Sequence, residues 1–307
     1  MHVVCPNPAL DRTIFLEKFD VNGVSRSHQA KELLGGKGFN VIRSFSFQNP
    51  NSAFTAHAFL GGYIGKHLQS LANDQHISTT VTPIKENTRI CSIIVDNEKG
   101  HVHLINEKGP VISTSEKQAF EDTLLDSVKP EDYVVFSGSL PDGLPSSFYR
   151  DLIISLQDKG AKCVIDSSGE ALSKSIEAKP WLLKVNESEY LELKNKTAET
   201  TEEIITLLKN DTALENIIIT LGGDGSIAKI HRKCYRITLP NITAKNATAS
   251  GDIFLGKLLE AFQSNKVIQT ALIEASSFAA SNCLYWYPHI DINDVNAIKE
   301  QITLEEL

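Results

Sequence analysis

The chain of 307 residues contains no apolar run of membrane-spanning length, so nothing in it reads as a transmembrane helix or predicts a membrane partner. Its five cysteines, Cys5, Cys91, Cys163, Cys234 and Cys283, are scattered, odd in number and without a CxxC pair. That excludes a disulfide framework and predicts buried thiols of a cytoplasmic protein. The nine histidines form no HExxH, and His101 and His103 alternate along an extended run without a third ligand near them, which weighs against zinc. A nucleophile elbow and a Ser-His-Asp signature are also missing. So are internal repeats, low-complexity tracts and long linkers. The opening Met-His-Val-Val-Cys-Pro-Asn-Pro lacks the basic start and apolar stretch of a signal peptide, again an expectation of a cytoplasmic chain. Basic charge is not in excess. A formal net charge of −8 argues against a nucleic-acid partner, while leaving room for an anionic small ligand in a locally basic pocket.

What is present is an ordinary globular composition, long enough for one large α/β domain or two smaller ones. In the C-terminal two-thirds, short apolar runs alternate with helical spacing. Tyr133–Ser137, Lys162–Asp166, Leu182–Val185 and Ile217–Leu221 read as strands buried on both faces. Helical patterns lie over 147–156, 171–176, 187–193 and 201–209. This order predicts a mostly parallel sheet with crossover helices. Each strand is followed directly by a loop rich in Gly, Ser, Asn or acid, and such loops line the ligand crevice of open α/β sheets. Residues 13–34 and 89–104 have a different character. They are rich in extended-type residues, and Ile90–Val95 and His101–Ile105 flank the turn at 97–100 as a hairpin. They predict a small β-sheet projecting from the main domain, able to cover a site or to pair with a second subunit.

The most informative stretch is Asn246-Ala-Thr-Ala-Ser-Gly-Asp252, which leads into an apolar periodic run. Small residues at a helix start leave N–H groups bare, and with the helix dipole they form an anion site. Asp252 in the first turn can meet a substrate hydroxyl, an arrangement suited to phosphoryl transfer. An Asp capping an ordinary helix explains the same residues. Gly35-Gly36-Lys37-Gly38-Phe39-Asn40 is another glycine-rich helix start, with Lys37 and Asn40 as donors, and it lacks P-loop spacing. Asp11, read as closing the first strand, suits sugar hydroxyls or an Asx turn. Arg89 opens the first hairpin strand and can hold a phosphate in bidentate fashion, although a lone Arg is usually a surface residue. Ser139 ends a buried strand in a loop of bare amides and hydroxyls. Lys184, Asn186 and Glu189 follow another strand, and the last two fit either Mg²⁺ held through water or a capping box. Gly222-Gly-Asp-Gly225 can let a nucleotide pack on backbone, and the same pattern is common in hairpin turns.

Taken in order, Asn7-Pro-Ala-Leu-Asp-Arg-Thr, Gly35-Gly-Lys-Gly-Phe-Asn-Val, Asn87-Thr-Arg, Ser137-Gly-Ser-Leu-Pro-Asp-Gly, Asp166-Ser-Ser-Gly-Glu-Ala-Leu, Lys184-Val-Asn-Glu-Ser-Glu, Thr220-Leu-Gly-Gly-Asp-Gly-Ser and Ser250-Gly-Asp resemble the PfkB, ribokinase-like sugar kinases over essentially the whole chain. The match is closest to the branch of 1-phosphofructokinase and tagatose-6-phosphate kinase. The resemblance implies an α/β fold, a three-layer αβα core of residues 1–11, 36–86 and 112–307 with a β-sheet lid of 12–35 and 87–111, and a homodimer through the lid. It implies ATP and Mg²⁺, with a monovalent cation left open, and a sugar phosphate such as fructose 1-phosphate or tagatose 6-phosphate as substrate. It makes Asp252 the base, with Ser250 and Gly251 holding the transferring group. Asp11, Gly35, Gly36 and Asn40 would bind the sugar, and Arg89, Ser139 and Lys37 its phosphate. Lys184, Asn186, Thr220, Gly222 and Gly225 would line the nucleotide site, with Asn282 near adenine and Glu189 acting on Mg²⁺. One departure concerns the anion site: Ala249 stands where the family usually has Gly. Two alternatives stay open, a sugar-phosphate-binding homologue with weakened catalysis and a kinase of an unphosphorylated sugar or nucleoside.

Overall fold

Two sheets organise the chain, and a computed structural model describes residues 1–46 and 54–307 of it. In chain order the strands are β1 (His2–Cys5), β2 (Ala9–Leu16), β3 (Ser27–Gly35), β4 (Thr55–Gly61), β5 (Thr79–Ile84), β6 (Arg89–Asp96), β7 (His101–Asn106), β8 (Tyr133–Ser137), β9 (Lys162–Asp166), β10 (Leu182–Asn186), β11 (Ile217–Thr220), β12 (Ser226–Ile230), β13 (Lys233–Thr238) and β14 (Thr303–Glu306). The helices are α1 (Lys37–Ser46), α2 (Gly62–Asp74), α3 (Thr114–Ser127), α4 (Phe148–Asp158), α5 (Gly169–Glu177), α6 (Glu187–Lys194), α7 (Thr201–Asn210), α8 (Ser250–Gln263), α9 (Ile268–Asn282) and α10 (Ile292–Lys299).

The larger sheet has the order β14-β13-β12-β11-β10-β9-β8-β1-β4-β5. It is parallel from β11 to β5, and β12, β13 and β14 extend it antiparallel. Alternate side chains of its short apolar strands point to opposite faces, and both faces are covered. Val3, Val135, Val164, Leu182 and Ile218 pack with Phe39 and Ile42 of α1 and Leu255 and Leu258 of α8. Their neighbours Val4, Val134, Ile165, Leu183 and Ile219 pack with Leu124 of α3, Leu152 of α4, Leu172 of α5 and Leu208 of α7. The result is the three-layer αβα arrangement that such strands require. From β1 the chain steps outward to β4 and β5, then returns to β8 on the other side of β1. The carboxyl ends of β1 and β8 therefore flank a topological switch point, where open sheets of this type bind ligands.

The smaller sheet has the order β3-β2-β6-β7. Asp11, Thr13 and Phe15 pair with Cys91, Ile93 and Val95, and all six are buried. The opposite face leaves Ile14 and Ile94 half-exposed and Ile105 55% exposed. One expectation is corrected here. Asp11 does not close the first strand of the main sheet. β1 stops at Cys5, and Asp11 lies inside β2 of the smaller sheet, which starts at Ala9. The cause is Pro6 and Pro8, which lack the N–H that continued pairing needs.

Helices α1 and α8 pack closely because Gly256 has no side chain: a Cβ there would lie 2.0 Å from Ser44 Oγ and 2.2 Å from Val41 O. This contact joins the two helices that carry Asn40 and Asp252. All five cysteines are free thiols, four of them buried and Cys283 partly so. No helix among the described residues is long and apolar enough to cross a membrane.

Candidate active site

The start of α8 is held in an unusual way. Ala249, its N-cap, has φ 69° and ψ −7°. This left-handed conformation costs a residue with a Cβ about 1–2 kcal/mol. Asn282 supports it from behind: its Nδ2 donates to Thr248 O and to Ser250 Oγ, both at 2.8 Å, and its Oδ1 accepts from His289 N at 3.0 Å. At 1% exposure Asn282 is a strut of the turn, and the cavity wall beside it is formed by Cys283, whose Sγ lies 3.1 Å from Ser250 Oγ.

Asp252 sits in the first turn of α8, 5% exposed, and its Oδ2 accepts from Asn40 Nδ2 at 3.0 Å. Burial pushes its carboxyl up to about 6, with Lys37 and Lys184 pulling it down and Asp166 pushing it further up. Asp166, fully buried at the end of β9, anchors both lysines: Lys37 Nζ at 2.8 Å from Oδ1 and Lys184 Nζ at 3.1 Å from Oδ2. Burial opposes ionisation of Asp166, and the two ammonium groups outweigh it and hold its carboxyl below the usual range. Lys184 also lies against the helix start, since a Cβ on Gly251 would be 2.7 Å from its Nζ. Two cations, two carboxylates and the N-terminal amides of α8 thus converge at the carboxyl ends of β9 and β10. Lys37 belongs to this group, paired with Asp166.

A second group lies toward the smaller sheet. Burial pushes the Asp11 carboxyl up to about 6, against the pull of Arg43 and Arg89. Gly35 makes room for it, because a Cβ there would be 2.1 Å from Asp11 Oδ1. Gly36 turns the chain into α1 at φ 93°. Arg89 is not a solvated surface residue: it is half-buried and donates through Nη2 to Asn7 O at 3.1 Å and through Nη1 to Glu107 O at 3.3 Å. Asn7 Nδ2 in turn donates to Ser139 Oγ at 3.2 Å. Arg89 Nε and Asn7 Oδ1 are buried without a hydrogen-bond partner, a cost that a bound polar ligand would remove.

On the other side of Asp252 opens a cavity of about 520 Å³. Thr220, Gly222, Gly225, Ser250 and Gly251 line its polar end, and Leu239, Pro240, Ile242, Ala279 and Ala280 its apolar walls. Gly225, at φ 101°, lies where a Cβ would be 2.0 Å from Ile237 O, so this turn serves both the β11–β12 connection and the cavity. Asn186 pairs with Thr220 across β10 and β11 and forms a capping box with Glu189, each accepting at 2.9 Å from the other's backbone N–H. Among the described residues no group of three or more His, Cys, Asp or Glu is placed to hold a metal ion. The hard oxygens of Asn186 and Glu189 suit a divalent ion that keeps most of its ligands as water and phosphate.

Sequence patterns did not single out Arg43 or Cys283, and they gave Asp166 no role. Asp166 carried a signal, an acid closing an apolar strand next in order to the one bearing Lys184. Arg43 lies inside a helical run and Cys283 just past the end of one, and neither stands out from its neighbours.

The profile of the pfkB family carbohydrate kinases matches residues 7–288. The chain is 31% identical over 309 residues to a tagatose-6-phosphate kinase of Staphylococcus epidermidis, covering 98% of each. It is also 31% identical over 254 residues to a 1-phosphofructokinase of Bacillus subtilis, covering 82% of each. Among solved structures, phosphofructokinase-2 of Escherichia coli in complex with substrates and products superposes with a TM-score of 0.91 over 98% of both chains at 22% identity, a likeness of fold.

Proposed function

This chain belongs to the pfkB family of carbohydrate kinases, and from that premise we propose that it moves a phosphoryl group from ATP to a hydroxyl of a phosphorylated ketohexose, fructose 1-phosphate or tagatose 6-phosphate. The observation that carries the reading is the meeting of Asp252, Asn40 and Lys184 at the start of α8, between a polar cleft and a nucleotide-sized cavity. Asn40 holds one carboxylate oxygen of Asp252, and the other takes the proton of the attacking hydroxyl. A carboxyl near 6 is ionised at neutral pH and a stronger base than an exposed aspartate.

The amides at Ser250 and Gly251, with Lys184 against them, stabilise negative charge as it spreads over the transferring group. Glycines 222 and 225 let the nucleotide approach backbone, and the apolar walls take its base. Asn186 and Glu189 would hold Mg²⁺ through water, and the ion, when bound, would supply neutralisation of phosphate charge. Asp11, Gly35, Gly36 and Asn40 bind the sugar, and Arg89 and Ser139 hold its phosphate. The smaller sheet acts as the lid and pairs two subunits.

A coupled assay of ADP release over fructose 1-phosphate, tagatose 6-phosphate, unphosphorylated hexoses and nucleosides tests the substrate. Turnover confined to the unphosphorylated compounds would overturn it. Asp252→Asn should lower kcat by roughly 10²–10⁴-fold with nucleotide binding retained, measured by calorimetric titration. Near wild-type turnover would remove Asp252 from the role of base. A second reading, a sugar-phosphate binder of weakened activity, is favoured by one observation, the strained alanine in front of the anion site. Sugar-phosphate binding without ADP release in the same panel would select it.

A further inference from the structure

Arg43 stands one turn beyond Asn40 on α1, half-buried. Its Nη2 donates to Leu34 O at 2.7 Å and to Asn40 Oδ1 at 3.4 Å. A guanidinium has donors and no acceptor, so it can meet Asn40 only through the amide oxygen. The amide NH₂ is then turned toward Asp252, whose Oδ2 it reaches at 3.0 Å. With the amide reversed, two acceptors would face each other in a buried site. Resting on the reading of Asp252 as base, we propose that Arg43 is a positioning residue for phosphoryl transfer, acting through Asn40 on Asp252.

The second contact of the guanidinium strengthens this. Leu34 precedes Gly35, the residue that makes room for Asp11, so one side chain ties the sugar-facing strand to the helix that orients the base. Charge works in the same direction. The groups around Asp252 are Lys37 and Arg43 from α1, Asp166 from β9, Lys184 from β10 and the thiol of Cys5 from β1. Burial pushes the Cys5 thiol up to about 11, so it stays neutral, and removing Arg43 takes away one of the nearby cations. Arg43 also lies beside Asp11 and pulls its carboxyl down, so without it the carboxyls of Asp11 and Asp252 both bind their protons more tightly, and the acid limb of kcat/KM moves to higher pH.

The test is a cycle of Arg43→Met, Asn40→Ala and the double variant, assayed by ADP release. Arg43→Met should lower kcat/KM by about 10- to 100-fold, as expected for a misaligned catalytic group, and shift the acid limb upward. In the Asn40→Ala background the same substitution should cost less than about threefold, because the path to Asp252 is already broken. Arg43→Lys, which keeps the cation and loses the fork, should leave the acid limb in place with an intermediate kcat. An equal loss in both backgrounds, or an unmoved acid limb in Arg43→Met, overturns the proposal. Circular dichroism melts check folding, and if Arg43→Met does not fold, the Arg43→Lys cycle with Asn40→Ala takes its place. Asp252→Asn, run alongside, separates the two claims. If it stays active, the base reading fails, and if it is inactive while the cycle is additive, only the role of Arg43 fails.

Discussion

Ala249 holds a left-handed backbone at φ 69° directly before the first turn of α8, and the surrounding hydrogen bonds from Asn282 keep it there. Glycine adopts this conformation freely but loses more entropy on folding. Ala249→Gly should therefore stabilise the fold by a net of about 0.5–1 kcal/mol and raise Tm by roughly 1–4 °C, read by scanning calorimetry. If the alanine also displaces the amides of Ser250 and Gly251, kcat rises with it. Arg89 carries a different prediction. Its guanidinium donates to the backbone carbonyls of Asn7 and Glu107 and has a buried, unpaired Nε. Arg89→Ala should raise KM for a sugar phosphate by about 10- to 100-fold while KM for ATP changes little, because a charge-assisted phosphate contact is lost. A KM that does not move would assign the substrate's phosphate to other residues. At this scale the sequence marked Asp252 by the small residues that open α8 and Lys184 by its place in a short apolar strand. Arg43 stayed hidden because its partners, Leu34 O and Asp252 by way of Asn40, come from other elements.

The pairing of α1 with α8 sets the distance from Asn40 to Asp252, and Gly256 sets that pairing. A methyl group at 256 would meet Ser44 Oγ and the backbone at Val41. Gly256→Ala should destabilise the protein by about 1–3 kcal/mol and lower kcat as well, since it pushes the two site-bearing helices apart. Ser155→Ala, on the exposed side of α4, makes the control: Tm and kcat should stay near wild type. Thermal melts and ADP release on both variants decide it. The element pattern of the C-terminal two-thirds was largely legible. The runs at 133–137 and 162–166 are the strands β8 and β9, the run at 182–185 falls one residue short of β10, and the helical spacings at 147–156 and 201–209 fall within two residues of α4 and α7. Strands with both faces buried are continuous apolar runs, and little else in a soluble chain looks like that. Asp11 was misplaced because its own segment shows an apolar, extended pattern that fits either sheet. Only the break at Pro6 and Pro8 tells them apart.

For the whole molecule, the smaller sheet buries Asp11, Thr13, Phe15, Cys91, Ile93 and Val95 on one face and exposes Ile105 beside half-exposed Ile14 and Ile94 on the other. If that face joins two subunits, sedimentation should find a dimer, and Ile105→Glu with Ile94→Glu should give a folded monomer with higher KM for the sugar phosphate. A monomeric wild-type protein would end the lid-pairing proposal. What the sequence determined by itself is the alternation of strand and helix and the order of the polar turns, because these follow from local pattern and spacing; the family came from the resemblance those turns carry. Only the tertiary structure decided that Lys37 and Lys184 share Asp166, that Asn282 braces the turn while Cys283 walls the cavity, and that Asn40 reaches Asp252 with Arg43 behind it. Those contacts join residues as much as 212 positions apart, and no local preference carries that information: it arises when the sheet brings its carboxyl ends together and the two helices close over Gly256.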